Sequence, residues 1–263
     1  MAFAGEIAEY YARYRRGFPP PVLDRLIEVL EVGPEDLVID LGCGTGQLAI
    51  PMALRVRHVL GVDPEPDMLR LGRSAADAAG VDTVSWLLAA DSDLHRLPAL
   101  LGQHTVAATT ISNAIHLMNP AAVFAALHEV LVPEGAVAVI ANGVPLWLQN
   151  TAWSRRLRWH LEAVFATAVR SSCGTDEPAR SRCRAALQAA GYQTSEHRVD
   201  YTDLMSFEQL VGNLYSAMPI AWLPALADRP GFEQDLRDAL GEVHTDEHFR
   251  EEVRVAILLG HRR

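Results

Sequence analysis

Val38-Ile39-Asp40-Leu41-Gly42-Cys43-Gly44-Thr45-Gly46 decides the fold of this chain. A short β-branched run ends in an acid, and glycines follow at every second position. Gln47-Leu48-Ala49-Ile50 then reads as a helix opening. Strand, glycine turn and helix start together make a place where backbone N–H groups can approach a ligand closely.

Outward from this turn, strand-like and helical patterns alternate. Strands are expected at Leu37–Leu41, Val59–Asp63, Val84–Leu88, Val106–Ile111 and Val137–Ala141. Helices are expected over 46–57, over 65–79 with Gly80 as the cap, and over 120–132 after the Asn119-Pro120 pair. Strands separated by single helices imply right-handed crossovers and a parallel sheet. Residues 143–180 carry Trp147, Trp153 and Trp159 without a strand signal and read as a helical insertion. Helices over 181–190, 206–217 and 231–240 and strands at 192–200 and Val253–Leu259 complete the pattern.

With 263 residues, 49% of them hydrophobic, the chain suffices for one large domain or a domain with a sizeable insertion. The net charge of −10 argues against a nucleic-acid partner held by phosphate contacts. The Arg155, Arg156 and Arg158 cluster reads as a solvated helix face. All 23 basic residues are Arg, which with the abundant Ala points to a GC-rich genome. Three Cys at unrelated spacings fit free thiols in a reducing compartment, and Cys43 reads as a small filler of the turn. The N-terminus has no basic region followed by an apolar run, so no signal peptide or membrane span is expected and the cytoplasm is the default. His244 and His248 lack the neighbours of a known metal motif, and no metal is assigned.

The dinucleotide fingerprint needs Gly-x-Gly-x-x-Gly. Here the third glycine comes one residue early, and Gln47 stands where that fingerprint has Gly. Asp40 is poorly placed for a pyrophosphate but well placed for an ammonium group. Asp63, at the end of the second strand, can accept both hydroxyls of a ribose. Asp91-Ser92-Asp93 follows the third strand, where an adenine amine would lie. In that order these features describe an adenosine ligand with an amino-acid tail, S-adenosylmethionine (SAM).

Asp40–Gly46, with Gly61-Val62-Asp63-Pro64-Glu65-Pro66-Asp67-Met68-Leu69, resembles the cofactor motifs of class I SAM-dependent methyltransferases with a UbiE-like or trans-aconitate-methyltransferase-like core. Leu131-Val132-Pro133-Glu134-Gly135 resembles that family's Leu-x-Pro-Gly-Gly turn, with Glu134 in place of the first Gly. The resemblance covers residues 8–142 well and the rest weakly. It implies a Rossmann-like α/β fold: a mostly parallel seven-stranded sheet with helices on both faces. Its parts would be an N-terminal helical lid (1–30), a SAM-binding core (31–142), a helical cap insertion (143–180) and a C-terminal part of the core (181–263) with substrate-side helices over 206–240.

It further implies that Asp40 and the Gly42, Cys43, Gly44 and Gly46 backbone hold the methionine part. Asp63 with Pro64 would bind the ribose, and Met68, Asp91 and Ser92 would lie at the adenine. Met68 reads equally as helix core, and Asp91 as a loop acid without a ligand. Tyr10-Tyr11-Ala12-Arg13-Tyr14-Arg15-Arg16-Gly17-Phe18-Pro19 resembles a Tyr-x-x-Tyr-Arg-Pro-Gly-Tyr-Pro lid, with Arg16 in place of Pro. Tyr11 and Arg15 are then candidates for the cofactor carboxylate, Tyr14 for catalysis, and Tyr10 and Phe18 for the substrate. Packing of the tyrosines on the core is the alternative.

The fourth strand's end, Ile111-Ser112-Asn113-Ala114-Ile115-His116-Leu117, faces the transferring methyl in such enzymes. Ser112 is assigned to the cofactor and Ile115 to the substrate. His116 is either general base or a structural histidine. Relatives carry aromatics on both sides of this His, where this chain has Ile115 and Leu117. Trp147, Trp153, Trp159, Tyr215 and Trp222 are candidate substrate walls, Trp147 and Tyr215 foremost. The expected function is methylation of N or O on a small molecule, in bacterial natural-product or antibiotic biosynthesis. C-methylation and non-methyl chemistry such as cyclisation are the alternatives. No nucleic-acid or membrane partner is expected, and a homo-oligomer is left open.

Overall fold

The computed structural model describes residues 3–169, 174–225, 227–246 and 248–262. Its strands are β1 (Leu37–Leu41), β2 (His58–Asp63), β3 (Val84–Leu88), β4 (Val106–Ser112), β5 (Leu131–Asn142), β6 (Tyr192–Ser206) and β7 (His248–Arg262). The helices are α1 (Glu6–Tyr14), α2 (Pro20–Leu30), α3 (Ala49–Ala53), α4 (Pro66–Ala79), α5 (Leu97–Leu101), α6 (Pro120–Val130), α7 (Ala152–Phe165), α8 (Glu177–Ala189), α9 (Phe207–Ala217) and α10 (Arg229–Gly241). One seven-stranded sheet runs in the order β3-β2-β1-β4-β5-β7-β6. β1 to β5 pair in parallel, and β7 runs antiparallel to both β5 and β6.

This is the Rossmann-like arrangement expected. Its strand order reverses between β1 and β4, where an open parallel sheet leaves a crevice beyond its carboxyl ends. Helices cover both faces. One apolar cluster joins α2 and α3 to Val38, Val59 and Ala138, and another joins α6 and α8 to Ile39, Val62 and Val137. Alternate residues of the same strands thus serve opposite cores.

Local chemistry sets the element ends. Glu65 accepts from the Asp67 amide at the start of α4, and Gly80 closes that helix at φ 66°. Asn119 accepts from the Ala122 amide ahead of α6, with Pro120 in the first turn. Ser206 and Gln209 form a capping box on α9. The helix expected over 46–57 contracts to α3. Gly46 at φ 84° prolongs the turn, Pro51 has no amide to donate, and Arg55 and Val56 both fold back onto the Met52 carbonyl. β5 is longer than expected because its register shifts opposite β4 and pairing continues on both sides of the shift. Glu134 there adopts φ 67°, the left-handed conformation a Gly would take without strain.

A third apolar cluster lies beyond the sheet. It combines Leu146, Trp147, Trp153, Leu157 and Leu161 with Leu210, Leu214, Tyr215, Leu236 and Phe249. The segment after β5 therefore packs with α9 and α10 as one cap. The stretch expected to be an insertion includes residues 170–173, with Cys173, which lie outside the described residues. Among the described residues no helix is long and apolar enough to cross a membrane.

Candidate active site

β1 delivers Asp40 to the sheet's carboxyl edge, 2% exposed. The Thr110 hydroxyl donates to Asp40 Oδ1 at 2.7 Å. Burial pushes the Asp40 carboxyl up to about 7, the Asp63 charge adds to this, and the Thr110 hydrogen bond opposes it. Gly42, at φ 70°, donates its amide to the Val62 carbonyl at 2.8 Å, and a Cβ there would stand 2.5 Å from Ala114 Cβ. A Cβ on Gly46 would stand 2.7 Å from the Trp86 ring. Both positions require glycine for conformation and for space.

Asp63 closes the turn. Its Oδ2 accepts from the Gly44 amide and its Oδ1 from the Glu65 amide, both at 2.9 Å. Burial raises its pKa and these two amides lower it. Burial also raises the Cys43 thiol well above its usual value, which suits a filler and not a nucleophile.

α1 lies over the turn and divides its aromatic residues between two faces. Tyr11 rests on Gly44, 3.5 Å from where a Cβ would stand, and Arg15 lies over the Tyr11 ring at 5.3 Å. Burial pushes the Tyr11 phenol up, against the pull of Arg15. Tyr10 and Tyr14 take the other face. Tyr14 donates to Glu208 at 2.8 Å, and Tyr10 packs edge-on against Tyr215 and accepts from Arg229 at 3.0 Å. Arg229 also pairs with Glu6, anchoring α1 to the cap. Three expectations are corrected here. Tyr14 is a docking residue rather than a catalytic one, because its hydroxyl is committed to Glu208. Tyr10 and Tyr215 pack in the joint between lid and cap rather than against substrate, and Tyr215 is 1% exposed with its hydroxyl on Glu233.

A cavity of about 550 Å³ runs from Asp40, Gly42 and Cys43 past Ser112 and His116 into the cap. Tyr11, Arg15 and Phe18 of the N-terminal segment line it, as do Trp147 and Trp222 of the cap. Trp153 instead donates to the Arg250 carbonyl, and Trp159 is exposed beneath Arg156. Ile115 turns into the core and lines only a second, small hollow behind His116, which corrects its assignment to substrate. His116 lines both spaces, with Gly174 so close that a Cβ there would be 2.7 Å from His116 Cβ. Desolvation lowers the His116 pKa, leaving a neutral imidazole at pH 7.

The residues expected at ribose and adenine lie outside this wall. Met68 is buried in α4, the reading as helix core. Asp91 accepts from the Asn119 amide at 3.1 Å, and Pro64 and Ser92 are exposed. Two features escaped the sequence reading. Arg16 pairs with Glu251, which Gln149 also contacts, and Glu251 is 1% exposed. Glu251 stands at an inward position between Phe249 and Val253 in β7, an acid in the apolar phase of a strand, and that was the available signal. Asn213 lines the cavity from a fully buried stretch of α9.

A family model described as a methyltransferase domain matches residues 38–135. An uncharacterised methyltransferase of Mycobacterium tuberculosis is 27% identical over 203 residues, 77% of this chain and 76% of that protein. A solved structure described as a type II methyltransferase from Anaeromyxobacter dehalogenans is 17% identical with a TM-score of 0.61, covering 95% of this chain and 98% of that one. A geranyl diphosphate methyltransferase solved in complex with SAM is 18% identical with a TM-score of 0.50, covering 92% of this chain and 84% of that one. At these identities the two solved structures speak for the fold.

Proposed function

We propose that the chain is a class I methyltransferase that uses SAM and that it methylates an N or O atom of a small organic molecule in secondary metabolism, a reading supported by the methyltransferase-domain match and the methyltransferase relative. The cavity of about 550 Å³, closed on one side by α1 and on the other by the cap, is the observation that carries this reading. It suits a molecule enclosed whole rather than one surface atom of a macromolecule. The net charge of −10 also speaks against RNA as the acceptor.

Methyl transfer from a sulfonium is an in-line displacement, and the cofactor when bound supplies the reactive methyl. The protein contributes orientation and a dry pocket. Asp40 would hold the ammonium group and Arg15 the carboxylate of the methionine part. Tyr11 and Phe18 shield the site from water. Neutral His116 would take the proton from a hydroxyl acceptor as the new bond forms, while an amine acceptor needs only to arrive neutral.

Incubation with methyl-labelled SAM and a panel of phenols, amines and carboxylic acids tests the reading. Labelled product with one S-adenosylhomocysteine (SAH) released per turnover supports it. SAM consumption without label in the product would favour cyclisation or another non-methyl reaction. The cytoplasm is the proposed location, and the association state is for sizing in solution to read.

A further inference from the structure

The cap's share of the cavity wall is apolar but for two residues. Trp147, Leu161, Phe165, Met218 and Trp222 line it, and among the described residues Asn213 and Thr175 are its polar side chains, of which Thr175 already has a partner. Asn213 is 6% exposed. Its backbone carbonyl accepts from Ser216, but its side-chain amide has no hydrogen-bond partner among the described residues. The amide is also not sealed in the way the Trp147 indole N–H is, so it opens on the cavity.

Such a group is costly. Asn is a poor residue for the middle of a helix, and a buried amide without partners forfeits the hydrogen bonds it makes to water when unfolded. A Leu would fill the same space in a helix whose neighbours Gly212, Leu214 and Tyr215 are all buried. The amide offers one acceptor and two donors, so it matches a hydroxyl or a carbonyl. The charged residues of the wall, Arg15, Arg16 and Asp40, belong to the lid and the glycine turn, and Arg16 is already paired with Glu251. Among the described residues the cap end therefore offers no charge to an ionic ligand, and burying one against them would be strongly unfavourable.

We propose that Asn213 determines acceptor specificity: its amide reads a hydroxyl or carbonyl on an uncharged, otherwise apolar acceptor molecule whose body lies against the cap. This rests on the small-molecule methyltransferase reading. A site built to hydrogen-bond a polar group discriminates strongly against an analogue that lacks it.

The test uses the full chain saturated with SAH. Calorimetry measures 2-naphthol, naphthalene and 2-naphthoate as probes, on the natural protein, Asn213→Leu and Asn213→Ser. The expected result is at least tenfold tighter binding of naphthol than of naphthalene, with naphthoate weaker than naphthol. Asn213→Leu abolishes the naphthol preference, Asn213→Ser reduces it, and SAH affinity stays unchanged in both. Equal naphthol and naphthalene affinities, a preference that survives both variants, or tightest binding of naphthoate overturns the proposal. So does failure of every probe to bind a protein that still binds SAH. Failure to bind SAH strikes the methyltransferase reading instead. Should Asn213→Leu not fold, Asn213→Ser decides.

Discussion

The ring of Tyr14 lies directly on Gly212: a Cβ built on that glycine would be 2.2 Å from two ring carbons. α1 and α9 meet at this point, and Glu208 holds the Tyr14 hydroxyl one turn earlier in α9. The lid thus reaches the cap through a position that tolerates no side chain, and the same helix places Tyr11 on Gly44.

Gly212→Ala is expected to lift α1. Ala favours a helix over Gly by about 1 kcal/mol. Overpacking against a tethered ring costs about 1–3 kcal/mol, so the clash wins. Limited proteolysis will show faster cleavage before residue 20, and calorimetry weaker SAH binding as Tyr11 and Arg15 move away. Unchanged cleavage and affinity would show that the lid does not depend on this joint.

Asp40 is expected to set the pH dependence of cofactor binding. Burial raises its carboxyl to about 7, and an ammonium group beside it favours the charged form. SAH affinity will therefore fall below pH 7, approaching about tenfold per pH unit. Folding stability runs the other way. The folded pKa lies above the unfolded one, so this group's stabilisation is present at low pH and is lost as pH rises through about 7. Asp40→Asn will flatten both trends between pH 5.5 and 8, as calorimetry and thermal melts can check.

Glu251 neutralises Arg16 inside the protein, with Gln149 alongside. Glu251→Ala leaves the guanidinium without its partner and is expected to cost about 3–5 kcal/mol. Urea unfolding will measure this. Arg16→Met combined with Glu251→Leu will recover much of the loss, since the pair is then replaced by apolar groups of similar size. A double variant no more stable than Glu251→Ala would contradict this account.

His116 is expected to act on the acceptor and not on the cofactor. His116→Phe will lower kcat about 10²–10⁴-fold while SAH affinity stays within twofold of the natural protein. Because desolvation lowers its pKa, the acid limb of the kcat/KM profile will fall below the ordinary His value of 6.5. A loss of SAH affinity equal to the loss of rate would make His116 structural.

The glycine turn was legible because its information is local. Gly42, Gly44 and Gly46 all take positive φ, and Asp40 and Asp63 stand at adjoining strand ends as their spacing required. The same holds for the Asn119 and Gly80 caps. The helix after Gly46 was overdrawn because apolar periodicity does not show that Gln47 and Thr45 belong to the turn, where Gln47 donates to the Thr45 hydroxyl at 2.6 Å. The tyrosines were legible as a helix lying over the turn but not as individuals. Positions 10, 11 and 14 differ only in which face of α1 they occupy, and the cap decides which face meets the cavity.

By itself, then, the sequence determined the sheet and the glycine turn with its two acids, since each rests on residues a few positions apart or on the order of successive strands. The tertiary structure decided what surrounds the acceptor. Arg16 meets Glu251 across 235 residues and Arg229 meets Glu6 across 223, separations over which no periodicity carries information. Asn213 reads in sequence as one polar residue in a helix. Its buried, unpartnered amide exists because the cap closes an apolar wall around it, and that closure comes from packing between segments remote in the chain.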